Sequence, residues 1–166
     1  LLTNAFSFDL ADKRMVSLLH KTLQTNYQRG SFIVELNNIA RQVDAFLSDL
    51  SATVDFAIES NDLVLEDLLK VCGVKPAKTY QSFLEKIVCY VNMFVELNGS
   101  FVFAFVGLKD VLDDDDLQKL YDHCKLSKVC LLLLESCKKR PLLSDEQAVI
   151  ITDDLCEILE NFPEEE

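Results

Sequence analysis

Few residues in this 166-residue chain have the type and spacing that covalent chemistry requires. His20 and His123 are the only histidines. His123 adjoins Cys124, but neighbours on a helix point about 100° apart, which argues against a thiolate–imidazole pair. His20 stands beside Lys21 in an amphipathic segment, where a solvated or core-edge imidazole is the simpler reading. The six cysteines, at 72, 89, 124, 130, 137 and 156, form no CxxC pair. Most sit in apolar periodic segments, where a thiol packs as a small hydrophobe. Neither a zinc site nor a disulfide framework is expected, and scattered thiols of this kind suit a reducing, cytoplasmic location. The glycines, Gly30, Gly73, Gly99 and Gly107, make neither GxGxxG nor GxxxxGK[ST], although a phosphate loop could lie upstream of Leu1. No nucleophile stands beside a visible base.

Two charged groupings remain. Asp113-Asp114-Asp115-Asp116 invites a metal reading, but it lacks the alternating oxygen ligands and the glycine of a calcium loop. Carboxylates meeting the free N–H groups at the start of a helix explain it better. The other grouping is basic. The chain carries 16 Lys+Arg against 28 Asp+Glu, a net charge of -12. Yet between 13 and 41, Lys13, Arg14, Lys21, Arg29 and Arg41 face only Glu35. Lys21 follows Arg14 by two helical turns, on nearly the same face. Such a run is either an ordinary solvated face or a local anion-binding patch on an acidic protein, where phosphate contacts would be independent of sequence and weakened by salt. Lys138-Lys139-Arg140 is a second, smaller cluster.

The elements that must position these groups follow from periodicity. Hydrophobic residues make up 49% of the chain, too many for a disordered acidic tail. No apolar run reaches the roughly 18–20 residues that span a bilayer, and no signal peptide is visible. Leu1–Asn4 reads as a strand, with the Phe6-Ser7-Phe8 segment leading to Asp9 as a cap. Residues 11–27 read as a helix through Met15, Val16, Leu18, Leu19 and Leu23. Phe32, Leu36, Ile39, Val43, Phe46, Leu50 and Val54 step by three or four, predicting a helix over 31–58 of roughly 26–28 residues, capped by Ser31 with Glu35 beyond it. Helices over 63–71 and 80–97 follow, with Gly73 ending the first. Residues 101–106 and 129–134 read as buried strands flanking a helix over 113–125, and 148–151 as another strand. Strand, helix, strand implies a βαβ unit and a parallel sheet. The tail from Asp153 to Glu166 is expected to fray.

The expected fold class is therefore α/β, with a small, mainly parallel sheet and an extended pair of long helices at 31–58 and 80–97. The domain reading is an α/β head of residues 1–30 and 99–160, an extended helical domain of 31–98 and an acidic tail of 161–166.

Several segments, in this order, resemble a known family. They are Leu65 to Val74, a short helix ending in Gly-Val; Phe83-Leu84-Glu85-Lys86; Phe103-Ala104-Phe105-Val106 running into Gly107 to Leu112; Asp116 to Leu120; Val129 to Glu135; and Val149 to Ile158. Together with the front segment Leu1 to Leu10, they resemble the ring-forming CRISPR-associated adaptation protein of type II-A systems. The resemblance implies further strands ahead of Leu1, in keeping with a chain that opens without Met. It implies a degenerate P-loop-like head without nucleotide hydrolysis. It also implies a homotetrameric ring whose basic lumen threads linear double-stranded DNA ends, acting in spacer acquisition with the adaptation integrase and the RNA-guided nuclease. Calcium in an acidic loop is implied as well, for which Glu59, Asp62, Glu66 and Asp67 are the candidate ligands in this chain. Glu66 and Asp67 equally suit a first-turn dipole role.

The expected function is thus non-enzymatic, sequence-independent binding of DNA ends in antiviral defence, through Lys13, Arg14, Lys21, Arg29 and Arg41. The alternatives are an acidic protein–protein adaptor without DNA binding, suggested by the net charge, and a nucleotide-hydrolysing enzyme whose phosphate loop precedes Leu1.

Overall fold

The computed structural model describes residues 2–4, 9–99, 102–138 and 140–161. Leu1, the Phe6-Ser7-Phe8 segment, Phe101, Lys139 and the end of the tail at 162–166 lie outside the described residues. The chain divides into two compact units: a head of residues 1–10 and 78–166, and a helical unit of residues 11–77.

In the helical unit, Asp12 starts α1 (Lys13–Arg29) by accepting a hydrogen bond from the Met15 N–H at 2.7 Å. Helix α1 packs on α2 (Phe32–Ser51) and on α3 (Leu65–Val71), and Met15, Leu36 and Leu69 are the buried core residues there. Helix α2 has 20 residues and stops short of the expected 58. The apolar period continues to Val54, but side chains compete with the backbone at this end. The Ser51 hydroxyl bonds to the Ser48 carbonyl at 2.8 Å and the Thr53 hydroxyl to the Leu50 carbonyl at 2.7 Å. Ser31 occupies the N-cap position without a side-chain cap bond, contrary to expectation. Helix α3 ends where expected. Gly73, at φ 61°, supplies the left-handed turn, while the Val74 and Gly73 N–H groups bond to the Leu69 and Lys70 carbonyls, both at 3.0 Å.

In the head, α4 (Phe83–Asn98) opens on a reciprocal capping box between Ser82 and Glu85, which the sequence reading missed in starting this helix at 80. Strands β1 (Leu2–Asn4), β2 (Val102–Val106) and β3 (Cys130–Leu134) form a parallel sheet in that order. The crossover from β2 to β3 is α5 (Asp114–Leu126). Phe103 and Phe105 point into the core, in register with Leu131 and Leu133. The Phe103 ring meets Tyr90 and Phe94 of α4 edge-on, at 6.3 and 5.8 Å between centroids. Gly107, at φ 69°, turns the chain sharply after β2 while its N–H bonds to the Leu134 carbonyl.

The fold class is α/β, with long helices α2 and α4 both present. The units divide at residues 10/11 and 77/78, where the sequence reading set boundaries at 30/31 and 98/99. Helix α1 packs on α2 and α3, and α4 packs on α5 and Phe103. A clear correction concerns 148–151. That strand, β4 (Gln147–Ile151), does not join the parallel sheet but pairs antiparallel with β5 (Glu157–Asn161) in a separate ribbon. The expected frayed tail therefore contains a strand. The reason is local: an antiparallel partner needs only a short turn, and the 152–156 loop supplies one, with Leu155 at φ 62° and Thr152 bonded to Cys156. Among the described residues no helix is long and apolar enough to cross a membrane.

Candidate functional site

Lys13, Arg14, Lys21 and Arg29 all lie on α1 and are exposed. At about 100° per residue they span about 160° of its circumference; Lys13, Arg14 and Lys21 stand about 100° or more from buried Met15, and Arg29 about 40° from it. Arg41 is exposed on α2. Four of the five expected contacts therefore share one helix, and the fifth stands on the neighbouring one. Among the described residues, no carboxylate pairs with Lys13, Lys21, Arg29 or Arg41; Arg14 has an interaction of its own. Helix α1 has no acidic residue in its first turn, and Lys13 and Arg14 sit there. Cations at the positive end of a helix dipole oppose helix stability and raise the local positive potential. A fold selected for stability alone would place carboxylates in that turn, as α5 does with Asp114, Asp115 and Asp116.

The sequence reading missed one cation. His20 of α1 bonds through Nε2 to the Val74 carbonyl at 2.8 Å, fixing the segment after α3 against α1. Exposed Lys75 is next in the chain, and it too lacks a carboxylate partner among the described residues. No local spacing announces this, because 54 residues separate the two bonded groups.

The proposed calcium ligands do not converge. Glu66 is paired with Lys70 at 2.6 Å, and the hydrogen bond from Lys70 holds its carboxyl below the usual range. The same bond raises the Lys70 ammonium. Glu59 and Asp62 are exposed in a stretch without regular structure, and Asp67 is exposed in the first turn of α3. Among the described residues, no three His, Cys, Asp or Glu side chains are grouped to hold a metal ion. The donor set as placed does not fit calcium.

The other charged groupings belong to the head. Asp113 caps α5, accepting from the Asp116 N–H at 2.8 Å. Lys138 is paired with Glu160 at 2.5 Å, and Arg140 with Asp114 at 2.5 Å and with the Lys109 and Leu112 carbonyls. Lys138 and Arg140 of the expected second basic cluster are thus neutralised from within the head. Glu146 accepts from Lys109 Nζ at 2.7 Å, from the Leu143 N–H at 3.0 Å and from the Tyr121 hydroxyl. Burial alone would raise the Glu146 carboxyl, but these bonds outweigh it and hold it below the usual range. Burial, reinforced by Glu146, pushes the Tyr121 phenol far up. Burial also raises the Cys124 thiol to about 11, the opposite of an activated nucleophile. His123 is engaged instead with Asn92 Oδ1 at 2.8 Å.

Residues 1–155 match the family Cas_Csn2, described as a CRISPR-associated protein. The CRISPR-associated protein Csn2 of Streptococcus agalactiae is 22% identical over 139 residues, 81% of this chain and 62% of the relative. The crystal structure of Stu0660 of Streptococcus thermophilus aligns with a TM-score of 0.55 at 15% identity, covering 75% of this chain and 42% of that one. At that identity the likeness is one of fold. The chain spans less than two thirds of the length of these relatives.

Proposed function

The chain belongs to the Cas_Csn2 family of CRISPR-associated proteins, and on that premise we propose that it binds linear double-stranded DNA ends without sequence preference and without catalysis. In this reading it works as a homotetrameric ring in the cytoplasm, supporting spacer acquisition with the adaptation integrase and the RNA-guided nuclease of its system. The observation that carries the reading is that the exposed α1 cations Lys13, Lys21 and Arg29 have no carboxylate partners among the described residues, on a chain of net charge -12. A polyanion is repelled by the chain as a whole and attracted only where positive charge is concentrated. These three and Arg14 supply that concentration, with Arg41 on α2. Contacts of this kind go to phosphates, and each one removed lowers the log–log salt slope by roughly 0.9.

A gel shift with one linear duplex and the same DNA closed into a circle, at two salt concentrations, tests the reading. Binding confined to the linear form and weakened by salt supports threading of ends. Equal binding of both forms contradicts it. A second reading, an acidic adaptor without DNA binding, draws on the head, whose 9 basic and 19 acidic residues leave it at -10. Absence of any DNA binding by an assembled ring would favour it.

A further inference from the structure

Between β3 and β4 the residues from Arg140 to Glu146 run as a strap along one face of α5. They meet that helix at 114, 118, 121 and 125, positions three or four apart and so on one side of it. Arg140 pairs with Asp114 at 2.5 Å, and the Ser144 hydroxyl donates to Gln118 Oε1 at 2.9 Å. Asp145 pairs with Lys125, and Glu146 accepts from the Tyr121 hydroxyl. Two strap residues also reach the segment after β2: Glu146 accepts from Lys109 Nζ at 2.7 Å, and Arg140 donates to the Lys109 and Leu112 carbonyls. All of these fastenings are polar. Beyond the strap, β4 and β5 pack extensively only on each other, with the Lys138–Glu160 pair as an exposed tie. Two features work against closure. Asp145, inside the strap, has φ 74°, a left-handed conformation that is unfavourable for a residue with a Cβ. Glu135 belongs to the same cluster, accepting from the Lys109 N–H through Oε1 at 3.0 Å, yet its Oε2 is buried with no hydrogen-bond partner among the described residues.

We propose that Arg140 to Glu146 is a releasable strap, by which the β4–β5 ribbon leaves and re-docks on the head as a unit while the parallel sheet, α4 and α5 stay folded. Glu146 and Arg140 are its main fastenings, because each joins the strap to both α5 and the segment after β2. Release relaxes the Asp145 backbone and lets water reach Glu135. It bares Asp114, Gln118, Tyr121 and Lys125 on α5, and it carries Asp153, Asp154, Glu157 and Glu160 away with the ribbon. Such openings are drawn from the least stable part of a fold. A freed two-stranded ribbon is marginal by itself, so its amides exchange with solvent in the released state. This inference is independent of the DNA-binding reading, because it uses no residue of the helical unit.

The test is hydrogen–deuterium exchange of the full 166-residue chain, read by mass spectrometry. Amides of 147–161 are protected, but exchange at least about tenfold faster than those of β2 and β3. Urea below the unfolding transition speeds exchange in β2 and β3 and not in 147–161, because a local opening exposes little surface. Glu146→Gln and Arg140→Gln each speed exchange of 147–161 about tenfold, the strap having lost a charged hydrogen bond. Phe103→Leu weakens the core equally in the docked and released states. It therefore speeds exchange in β2 and β3 severalfold and leaves 147–161 unchanged. Faster exchange of 147–161 in Phe103→Leu, or one urea dependence for both regions, overturns the proposal by making the ribbon part of a single cooperative core. Unchanged exchange in both Glu146→Gln and Arg140→Gln overturns it by showing that the strap does not hold the ribbon. Unprotected 147–161 amides in the wild-type chain overturn it too, because the ribbon would then never dock.

Discussion

Cations have opposite fates in the two units. In the head, Lys78, Lys109, Lys119, Lys125, Lys138 and Arg140 each meet a carboxylate of the same unit. In the helical unit, Lys13, Lys21, Arg29, Arg41 and Lys75 meet none among the described residues, while Lys70 pairs with Glu66. Counting 7 basic and 9 acidic residues, the helical unit carries -2. It is therefore not basic overall; its cations are separated from its carboxylates. The core is divided just as unevenly. The helical unit contributes only Met15, Leu36 and Leu69 to the buried hydrophobic residues, whereas the head packs Phe103, Phe105, Ile87, Val91, Leu117 and Leu120 completely out of solvent. Most cations of the head are paired, although Lys128 meets no carboxylate among the described residues, whereas most cations of the helical unit are not.

The largest effect is expected in the core of the head. Phe103→Ala should destabilise the head by about 3–5 kcal/mol, the range for truncating a buried aromatic ring. Urea unfolding followed by circular dichroism measures it. A loss below about 1 kcal/mol would mean that the Tyr90–Phe94–Phe103 cluster does not anchor the sheet.

Next is the head's own neutralised charge. The Lys109 and Glu146 side chains are only 12% and 10% exposed, so Glu146→Gln should cost about 1–3 kcal/mol. The pH dependence has a definite sign. The folded carboxyl lies below its ordinary value of 4.5, so its stabilisation is complete above that pH. It is lost as pH falls below about 4.5 and through the folded value, because the unfolded chain takes up the proton first. Wild type should lose stability more steeply than Glu146→Gln in that acid window, as thermal melts at stepped pH will show. Parallel curves would contradict the assignment.

A smaller effect sits at the start of α4. Ser82→Ala removes the hydroxyl that accepts from the Glu85 N–H at 3.1 Å and should cost about 1 kcal/mol. The smallest prediction has the opposite sign and lies in the helical unit. Lys13→Glu replaces a cation with an anion at the positive end of α1 and should stabilise the fold by about 0.3–1 kcal/mol while weakening DNA binding. A melting temperature that falls would show that Lys13 has a structural role in the fold.

The sequence made much of this legible. Its helix periods located all five helices, because amphipathic faces repeat locally whatever the tertiary arrangement. The continuous apolar runs at β2 and β3 marked the strands of the parallel sheet, but not their burial: in β2 Phe103 and Phe105 are buried, while β3 leaves Cys130, Leu132 and Leu134 exposed. The α1 cations could be read from one face of one helix. What failed depended on partners outside the local window. The apolar period carried past Ser51, but Ser51 and Thr53 turned their hydroxyls onto the backbone. Ile158 and Leu159, surrounded by carboxylates, looked like tail until β4 offered an antiparallel partner. Lys138 and Arg140 looked like a patch, and only the folded head reveals Glu160 and Asp114 beside them. Val74 is tied to α1 by a single bond from His20, 54 residues away in the chain.

The most direct measurement compares two triple charge reversals by gel shift on linear duplex DNA, with oligomer mass checked by light scattering. One variant carries Lys13→Glu, Arg14→Glu and Lys21→Glu; the other carries Lys78→Glu, Lys119→Glu and Lys125→Glu. Both make the chain equally more acidic. If the α1 cations hold DNA, the first variant loses binding at least a hundredfold with unchanged mass, and the second stays within a few-fold of wild type. Equal losses would assign binding to net charge alone, and undiminished binding by the first variant would remove α1 from the interface.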